Sequence, residues 1–335
     1  MKFVKYVLIK IGIQNQAKYI RNVLLLIINY WQDALNYFKY SYVFHKKGFS
    51  KYEADIIMSY HSIEKGFLHE KIKNRFAKDK VIAIIKDIDC LMKNNKIIVN
   101  SQIISAINVL LEYYEYHNKI GIDIYDYFSS EKYNEFLKYK KDNFKSVHFL
   151  EKSEFYKKTN LNFFEFSHSR RSIRNFTGEK ISNKSLNSVI QLANNSPSVC
   201  NRQSCKVYLI NNKENIDNIL KIQGGFRGYD KNVSQLLILV ANKNAFYSIG
   251  ERNQMYIDGG IYLMNLLYSL HFYKIASCPA NWGKCVQDDK SVRKYVNIPL
   301  CEQIICTIPI GIATEEVVYA NSERRTVTET LVVSD

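Results

Sequence analysis

The chain has 335 residues, of which 47% are hydrophobic and 24% are charged. These proportions are ordinary for globular proteins, so they exclude wholesale disorder, and the length allows two domains with a sizeable core. The formal net charge of +15 favours an anionic partner. Charge alone does not choose between nucleic acid, lipid head groups and phosphorylated small molecules.

The first twenty residues lack the uninterrupted apolar core of a secretory signal, because lysines recur through them. We therefore expect a cytoplasmic protein. The apolar run Val23–Ile28 is too short to cross a bilayer. The segment Lys18–Tyr42 has the pattern of an amphipathic helix, and we expect its apolar stripe to pack against the rest of the chain. The alternative is a basic helix that lies on a membrane surface as a peripheral contact.

Residues 1–150 have the periodicity of helices almost throughout. In the run Ser101–His117, apolar residues recur three and four positions apart and form one helix face. The short polar stretch Met92–Lys96 is typical of a break between two helices. We expect an all-helical domain over residues 1–150.

The pattern changes after Phe164 to a mixture of helices and short aliphatic strands, which predicts an α+β domain over residues 155–335. Ser182 is a candidate N-cap, because its hydroxyl can accept a backbone N–H from the first turn of the next helix. The predicted elements are helices at Asn183–Asn195 and Gln254–Phe272, strands at Lys206–Asn211, Gln235–Ala241 and Glu302–Thr314, and an extended tail at Thr326–Val333.

The seven cysteines follow no disulfide framework, which indicates free thiols in a reducing compartment. The chain contains no CxxC or HExxH motif, so we expect small core thiols and no metal site.

The stretch His168–Glu179, HSRRSIRNFTGE, concentrates Arg170, Arg171 and Arg174 around the hydroxyl of Ser172. Guanidinium groups bind phosphate through two parallel hydrogen bonds, so a phosphate ester suits this cluster. Nucleic-acid binders usually spread their basic residues along a face, and no such pattern accompanies these arginines. Surface ion pairs, for example with Glu165 or Glu179, are the structural alternative.

Three later motifs accompany the cluster. A polar loop at Ser196–Gln203 offers hydroxyls and amides that suit the edge of a heterocycle. A helix start at Asp258 is followed by the loop Pro279–Gly283, whose backbone N–H groups could meet a ligand. The pair Arg324–Arg325 precedes the last predicted segment.

The order of these motifs resembles the nitroreductase family of FMN-dependent oxidoreductases over about residues 160–335. The family's Arg-Arg-Ser-x-Arg-x-Phe opening matches Arg170–Phe176, and its Ser-Pro-Ser-x-x-Asn-x-Gln loop matches Ser196–Gln203. Its Asp-Gly-Gly helix start with a later Asn-Leu matches Asp258 to Leu266. The family's usual Pro-Trp after the glutamine is Ser204–Cys205 in this chain.

The resemblance implies a three-layer α+β fold and an intertwined homodimer with FMN at the interface. Arg170, Arg171, Ser172 and Arg174 would hold the phosphate and the pyrimidine edge of the flavin, and Arg324 or Arg325 would add a second charge at the phosphate. The partner subunit's copies of Ser196, Ser198, Asn201 and Gln203 would approach the flavin. Pro279, Ala280, Asn281 and Gly283 would place a backbone N–H near flavin N5.

The N-terminal stretch His61–Phe67 resembles a longer subgroup of the family found among bacterial surface-polysaccharide genes. We interpret His61 and Glu64, three residues apart, as a pair on the surface of a helix. Gln223–Gly228 lacks the spacing of a dinucleotide fingerprint and is interpreted as an active-site or surface loop.

The family chemistry implies ping-pong hydride transfer through the flavin, from NADH or NADPH to a small-molecule acceptor. The sequence names no catalytic acid or base, since Tyr256, Tyr262 and His271 are interpreted as packing residues. Trp282 is interpreted as a packing aromatic, with contact to the flavin or the substrate as the alternative. Two alternatives remain open: a flavin-binding module without activity that recognises a partner, and a basic binder of nucleic acid or membranes.

Overall fold

A computed structural model describes residues 14–44, 48–93 and 100–334. Residues 94–96 of the predicted break at Met92–Lys96 lie outside these ranges, as do most of the first twenty residues, whereas Met92 and Lys93 end a helix. The amino-terminal part is helical, as expected. The helix Ser101–Lys119 contacts the helices Phe49–Phe67, Lys78–Lys93 and Ser130–Phe136, and most of its own residues are buried. The helices of this part are α1 (Gln14–Tyr40), α2 (Phe49–Phe67), α3 (Lys78–Lys93), α4 (Ser101–Lys119) and α5 (Ser130–Phe136).

The helix α1 differs from its prediction. It forms, but most of its large apolar side chains are exposed, including Tyr19 and Trp31 at 71% and 65%. The expectation that its apolar stripe packs against the rest of the chain is therefore wrong. An ion pair between Asp33 and Arg252, at 2.6 Å, joins the helix to the carboxy-terminal half. None of the described helices is long and apolar enough to cross a membrane.

The carboxy-terminal half is built around an antiparallel sheet. Its strands lie in the order β2 (Cys205–Ile210), β3 (Gln235–Asn242), β6 (Glu302–Gly311) and β4 (Ala276–Ser277), and β5 (Ala280–Asn281) also pairs with β6. The predicted α+β class is confirmed. Its strands are β1 (Val147–Glu151), β2 (Cys205–Ile210), β3 (Gln235–Asn242), β4 (Ala276–Ser277), β5 (Ala280–Asn281), β6 (Glu302–Gly311) and β7 (Glu316–Ala320). Its helices are α6 (Lys152–Phe155), α7 (Phe163–Ser169), α8 (Asn183–Ala193), α9 (Lys213–Gln223), α10 (Gln254–Phe272), α11 (Val286–Val292) and α12 (Val327–Thr330).

Strand β3 is the centre of three layers. Leu237 and Leu239 face a core formed with α8 and α10. The alternate residues Leu236 and Ile238 face a second core that includes α9 and the amino-terminal helices. Because side chains alternate along a strand, a strand covered on both faces is apolar throughout, as the sequence of β3 is.

The expected boundary between residues 150 and 155 is crossed by a two-stranded sheet. Strand β1 pairs with β7, so a segment before the boundary is hydrogen-bonded to one near the carboxyl end. One core cluster also contains residues of α2, α4 and β3 together. The division into two domains stays a prediction.

Of two predicted features of element structure, the N-cap at Ser182 is confirmed and the extended tail is not. Ser182 caps α8 by accepting the N–H of Ser185 at 3.1 Å, as predicted. The extended tail is wrong over Val327–Thr330, which forms the short helix α12. Thr326 and Glu329 form a capping box there, because each side chain accepts the other residue's backbone N–H.

Candidate functional site

The arginine-rich stretch lies along the edge of the main sheet. The side chains of Ile173 and Phe176 are buried and anchor it in the core. The backbone N–H of Ile173 donates to the Ser277 carbonyl at 2.9 Å, and that of Thr177 donates to the Ile312 carbonyl at 3.0 Å. Arg174 and Asn175, which lie between the buried side chains of Ile173 and Phe176, therefore face away from the core.

This stretch borders a cavity of about 350 Å³, which we call the arginine cavity. Five parts of the chain contribute to it: the stretch itself, the loop after β4, the segment after β7, helix α2 and helix α4. Six of the residues predicted from the sequence to bind the cofactor line it: Arg170, Arg171, Ser172, Arg174, Pro279 and Arg324.

The buried end of Arg170 has no partner. Its Nη1 atom is shielded from solvent and makes no hydrogen bond within the described structure. Burial lowers the pKa of this guanidinium, and the positive charges of Arg324 and Arg171 lower it further. A buried cation without a counter-charge is destabilising, so the geometry favours an anion at this position.

Arg171 and Arg174 also have no carboxylate partner among the described residues. Arg171 donates from Nη1 to the carbonyls of His168 and Arg170, at 2.6 and 3.1 Å. Glu165 pairs instead with Lys158. The alternative that these arginines make surface ion pairs with Glu165 or Glu179 is therefore wrong, and their charges remain available to a ligand.

Arg324 and Arg325 have different surroundings. Arg324 lines the arginine cavity and donates to the Ser322 carbonyl. Arg325 donates to both carboxylate oxygens of Glu53, at 3.1 and 2.8 Å. The structure therefore selects Arg324 as the second charge at the cavity, and Arg325 joins the carboxyl-terminal segment to α2.

The wall of the cavity formed by α2 and α4 was not predicted. Tyr60 donates to Oε1 of Gln102 at 2.7 Å, and both residues line the cavity with His61. His61 Nδ1 lies 3.0 Å from Glu64 Oε2, but the Glu64 side chain is only 1% exposed. The interpretation of this pair as a helix-surface pair is therefore wrong. Glu64 also accepts the backbone N–H of Ser322 at 3.1 Å and so fixes the segment that carries Arg324.

The polar loop Ser196–Gln203 lies apart from this cavity. Cys200, Asn201 and Gln203 have positive φ angles of 49°, 53° and 48°, which strain residues other than glycine. The loop is tied to the start of α10, since the N–H of Val199 points at the carboxylate of Asp258, 3.3 Å away.

Ser196, Ser198 and Gln203 line a second cavity of about 180 Å³ together with Asp258 and Tyr262. It shares no lining residue with the arginine cavity. Within one chain, the structure therefore does not bring these two sets of predicted residues together.

The loop Pro279–Gly283 begins at the arginine cavity and then turns away. Ala280 and Asn281 form β5, and the Ala280 carbonyl accepts the hydroxyl of Thr307 at 3.0 Å. Trp282 is buried, donates to Asp289 at 3.1 Å and does not line the arginine cavity. Gly283 approaches Asn281 so closely that a Cβ there would lie 2.9 Å from its Nδ2.

The aromatic and imidazole groups of α10 do not line the arginine cavity. Tyr262 donates to Asn194 at 2.9 Å, and burial raises its pKa to about 12. His271 lies 2.8 Å from the Ser169 hydroxyl, and burial lowers its pKa to about 4 with the help of Arg170 and Arg171. Both side chains are buried, as expected of packing residues, and Tyr262 also borders the second cavity. Tyr256 is 51% exposed, so its interpretation as a packing residue is wrong. Within the described ranges, no His, Cys, Asp and Glu group is arranged to hold a metal ion.

Comparison with known proteins gives one family match. The sequence model of the nitroreductase family matches residues 168–226, which include the arginine stretch and the polar loop. No curated protein matches the chain significantly.

The solved structures that are similar to this chain include an NADH oxidase and two nitroreductases. A putative NADH oxidase from Clostridium acetobutylicum is 18% identical, with 51% of this chain and 99% of that one covered and a TM-score of 0.43. An FMN-dependent nitroreductase from Clostridium difficile is 20% identical, with 51% and 98% covered and a TM-score of 0.43. A putative nitroreductase in complex with FMN from Desulfovibrio desulfuricans is 19% identical, with 51% and 96% covered and a TM-score of 0.43.

Proposed function

We propose that this chain, whose residues 168–226 match the sequence model of the nitroreductase family, is a member of that family and an FMN-dependent oxidoreductase. One observation carries the proposal: two elements of the family pattern, far apart in sequence, supply Arg170, Arg174 and Arg324 to a single cavity. The unpartnered Nη1 of Arg170 fits a phosphate ester, which brings negative charge and several acceptor oxygens to a buried donor.

Each side chain has a definite role in this proposal. Arg170 and Arg324 would hold the phosphate, and Ser172 and Arg174 would bind the pyrimidine edge of the flavin. Tyr60, His61 and Gln102 close the side formed by α2 and α4, which limits the access of water to the bound cofactor. FMN, when bound, supplies hydride transfer through N5, so the protein contributes binding, orientation and electrostatics.

We further propose NADH or NADPH as the electron donor and a small molecule as the acceptor. No described group is assigned as a catalytic acid or base. The proposal includes a homodimer in which the partner's polar loop, equivalent to Ser196–Gln203, covers the flavin. The separation of that loop from the arginine cavity within one chain supports this arrangement. The surface-polysaccharide setting implied by His61–Phe67 stays a prediction.

The visible spectrum of the purified protein tests the proposal. Protein reconstituted with FMN should show the bands of oxidised flavin, and anaerobic NADH or NADPH should bleach them. Arg174→Ala should lose FMN, whereas Arg21→Ala, an exposed arginine on α1, should retain it. Protein that stays colourless with added FMN would exclude the proposal. Bound flavin that neither donor reduces, while dithionite does, would favour the module without activity.

A further inference from the structure

A second basic site, separate from the arginine cavity, lies beside the carboxyl end of α2. A cleft of about 600 Å³ separates residues 62–80 from the loop Gln223–Tyr229. We call it the basic cleft. Its charged lining residues are Lys65, Lys71, Lys73, Lys80 and Arg227, and its lining includes no aspartate or glutamate among the described residues.

These five cations are not neutralised by neighbouring carboxylates within the described structure. The nearby Lys78 and Arg75 both pair with Asp126, which shows that cations close to the cleft take carboxylate partners where these are available. Lys65 is half-buried, and burial lowers the pKa of its ammonium group, with a further contribution from the charge of Arg174. A compact set of unpaired cations around one space attracts an anion.

The walls of the cleft are formed by close contacts rather than by loose surface loops. His69 stacks on Tyr229 with ring centroids 4.4 Å apart. Gly228 has a φ of +83°, and a Cβ there would lie 2.9 Å from Cε1 of His69. On the opposite side, the ring of Phe76 packs directly against Gly66, where a Cβ would overlap it. The cleft therefore combines fixed aromatic walls with a cationic rim.

The loop that forms one wall also touches the proposed flavin site. Gln223 donates from Nε2 to the Asn281 carbonyl at 3.0 Å, in the loop that follows Pro279. A smaller cavity of about 300 Å³ shares His69, Lys71, Gly228 and Tyr229 with the basic cleft. It shares Arg174 with the arginine cavity. The three spaces thus adjoin one another around the end of α2.

We propose that the basic cleft binds a small molecule that carries a diphosphate group. Cations contributed from both walls suit a ligand with several negative charges, and lysine and arginine both bind phosphate oxygens. The volume is within the range of small-molecule pockets, and the aromatic walls offer an apolar surface to the rest of the ligand. Such a ligand could be a dinucleotide electron donor or another nucleoside diphosphate, since both carry this group.

Titration calorimetry of the full chain saturated with FMN, with sodium pyrophosphate as the probe, tests the proposal. The protein is saturated with FMN first, so that the arginine cavity is occupied. An absence of pyrophosphate binding in the cleft can then be distinguished from an absence of flavin binding. We expect saturable binding that sodium sulfate at equal ionic strength does not reproduce. The double variant Lys71→Gln/Lys73→Gln should bind pyrophosphate about tenfold more weakly or worse, because charged hydrogen bonds are lost.

The matched control is Lys145→Gln/Lys184→Gln, which removes the same charge from two exposed lysines outside the cleft. It should bind like the unmodified chain. Equal weakening in both double variants, or no saturable binding, would overturn the proposal. Parallel titrations with ADP and NADPH identify the source: NADPH binding alone assigns the cleft to the electron donor, and ADP binding assigns it to nucleoside diphosphates in general. Either result must show the same dependence on Lys71 and Lys73.

Discussion

The guanidinium of Arg325 lies 2.8 Å from the carboxylate of Glu53, while the adjacent Arg324 lines the arginine cavity. Two consecutive arginines therefore have different surroundings, and we expect one to serve folding and the other to serve binding. Glu53 is a buried residue of α2, so its ion pair fastens the carboxyl-terminal segment to the amino-terminal helices. This contrast allows a direct test with two variants of equal charge.

Arg324→Gln should weaken FMN binding about tenfold or more and leave unfolding nearly unchanged, because it removes a phosphate ligand. Arg325→Gln should instead lower the free energy of unfolding by about 1–2 kcal/mol, because it leaves the Glu53 carboxylate without its charged partner. Fluorescence titration with FMN and urea unfolding measure the two effects. The assignment of roles is wrong if Arg325→Gln loses FMN at unchanged stability.

Arg170→Met should stabilise the protein without its cofactor while it abolishes tight FMN binding. Methionine occupies a similar volume but removes a buried group that has no hydrogen-bond partner. Thermal unfolding without FMN should therefore occur at a higher temperature than in the unmodified chain. A lower unfolding temperature would show that Arg170 serves the fold rather than a ligand.

Gly228→Ala should destabilise the protein more than Gly121→Ala does. Both glycines have positive φ angles, +83° and +70°, so both variants carry the strain of about 1 kcal/mol that a side chain meets there. Only at Gly228 would the new Cβ also meet His69; nothing lies within 4 Å of it at Gly121. Urea unfolding of the two variants isolates the contact, and equal losses would mean that the loop moves freely away from His69.

Stability should fall as the pH is lowered from about 6.5 toward 4 because of His271. Its pKa in the folded protein is about 4, below the ordinary histidine value of 6.5, so between these values the unfolded chain binds a proton that the folded one does not. The contribution is fully present above pH 6.5, and on the order of 2 kcal/mol is lost as the pH approaches 4. His271→Gln should flatten the pH dependence of urea unfolding between these limits. The control His168→Gln, at an exposed histidine, should leave it unchanged.

Mixed dimers test the proposed interface site. Arg174→Ala damages the arginine cavity and Gln203→Ala damages the loop expected from the partner, so neither variant alone should bind FMN tightly. Unfolding and refolding the two together forms dimers in which one site has both intact halves, and part of the FMN binding should return. If the mixture binds no more FMN than the separate variants, the two sets of residues do not meet across an interface.

The elements that carry strong local signals were predictable from the sequence. The aliphatic run of β3 and the N-cap at Ser182 depend on neighbouring residues alone, and both are found as expected. The helix α12 carried such a signal too, since Thr326 and Glu329 have the spacing of a capping box, but its β-branched residues favoured an extended prediction.

The wall of the arginine cavity formed by α2 and α4 could not be predicted in this way. Tyr60, His61 and Gln102 reach the cavity only because α2 packs against α4 and the segment after β7 lies beside them. No local pattern specifies such an arrangement. The burial of Glu64 has the same origin, because its partner Ser322 is distant in sequence.

The contact between Glu64 and Ser322 has a consequence for biosynthesis. Domains generally fold as units during synthesis, amino-terminal first. The arginine cavity, however, takes its first wall from α2 and its last charge from Arg324, near the other end of the chain. A nascent chain that still holds Arg324 inside the ribosome cannot assemble this cavity. Any ligand that needs the complete cavity can therefore bind only after Arg324 has left the ribosome and has packed beside α2.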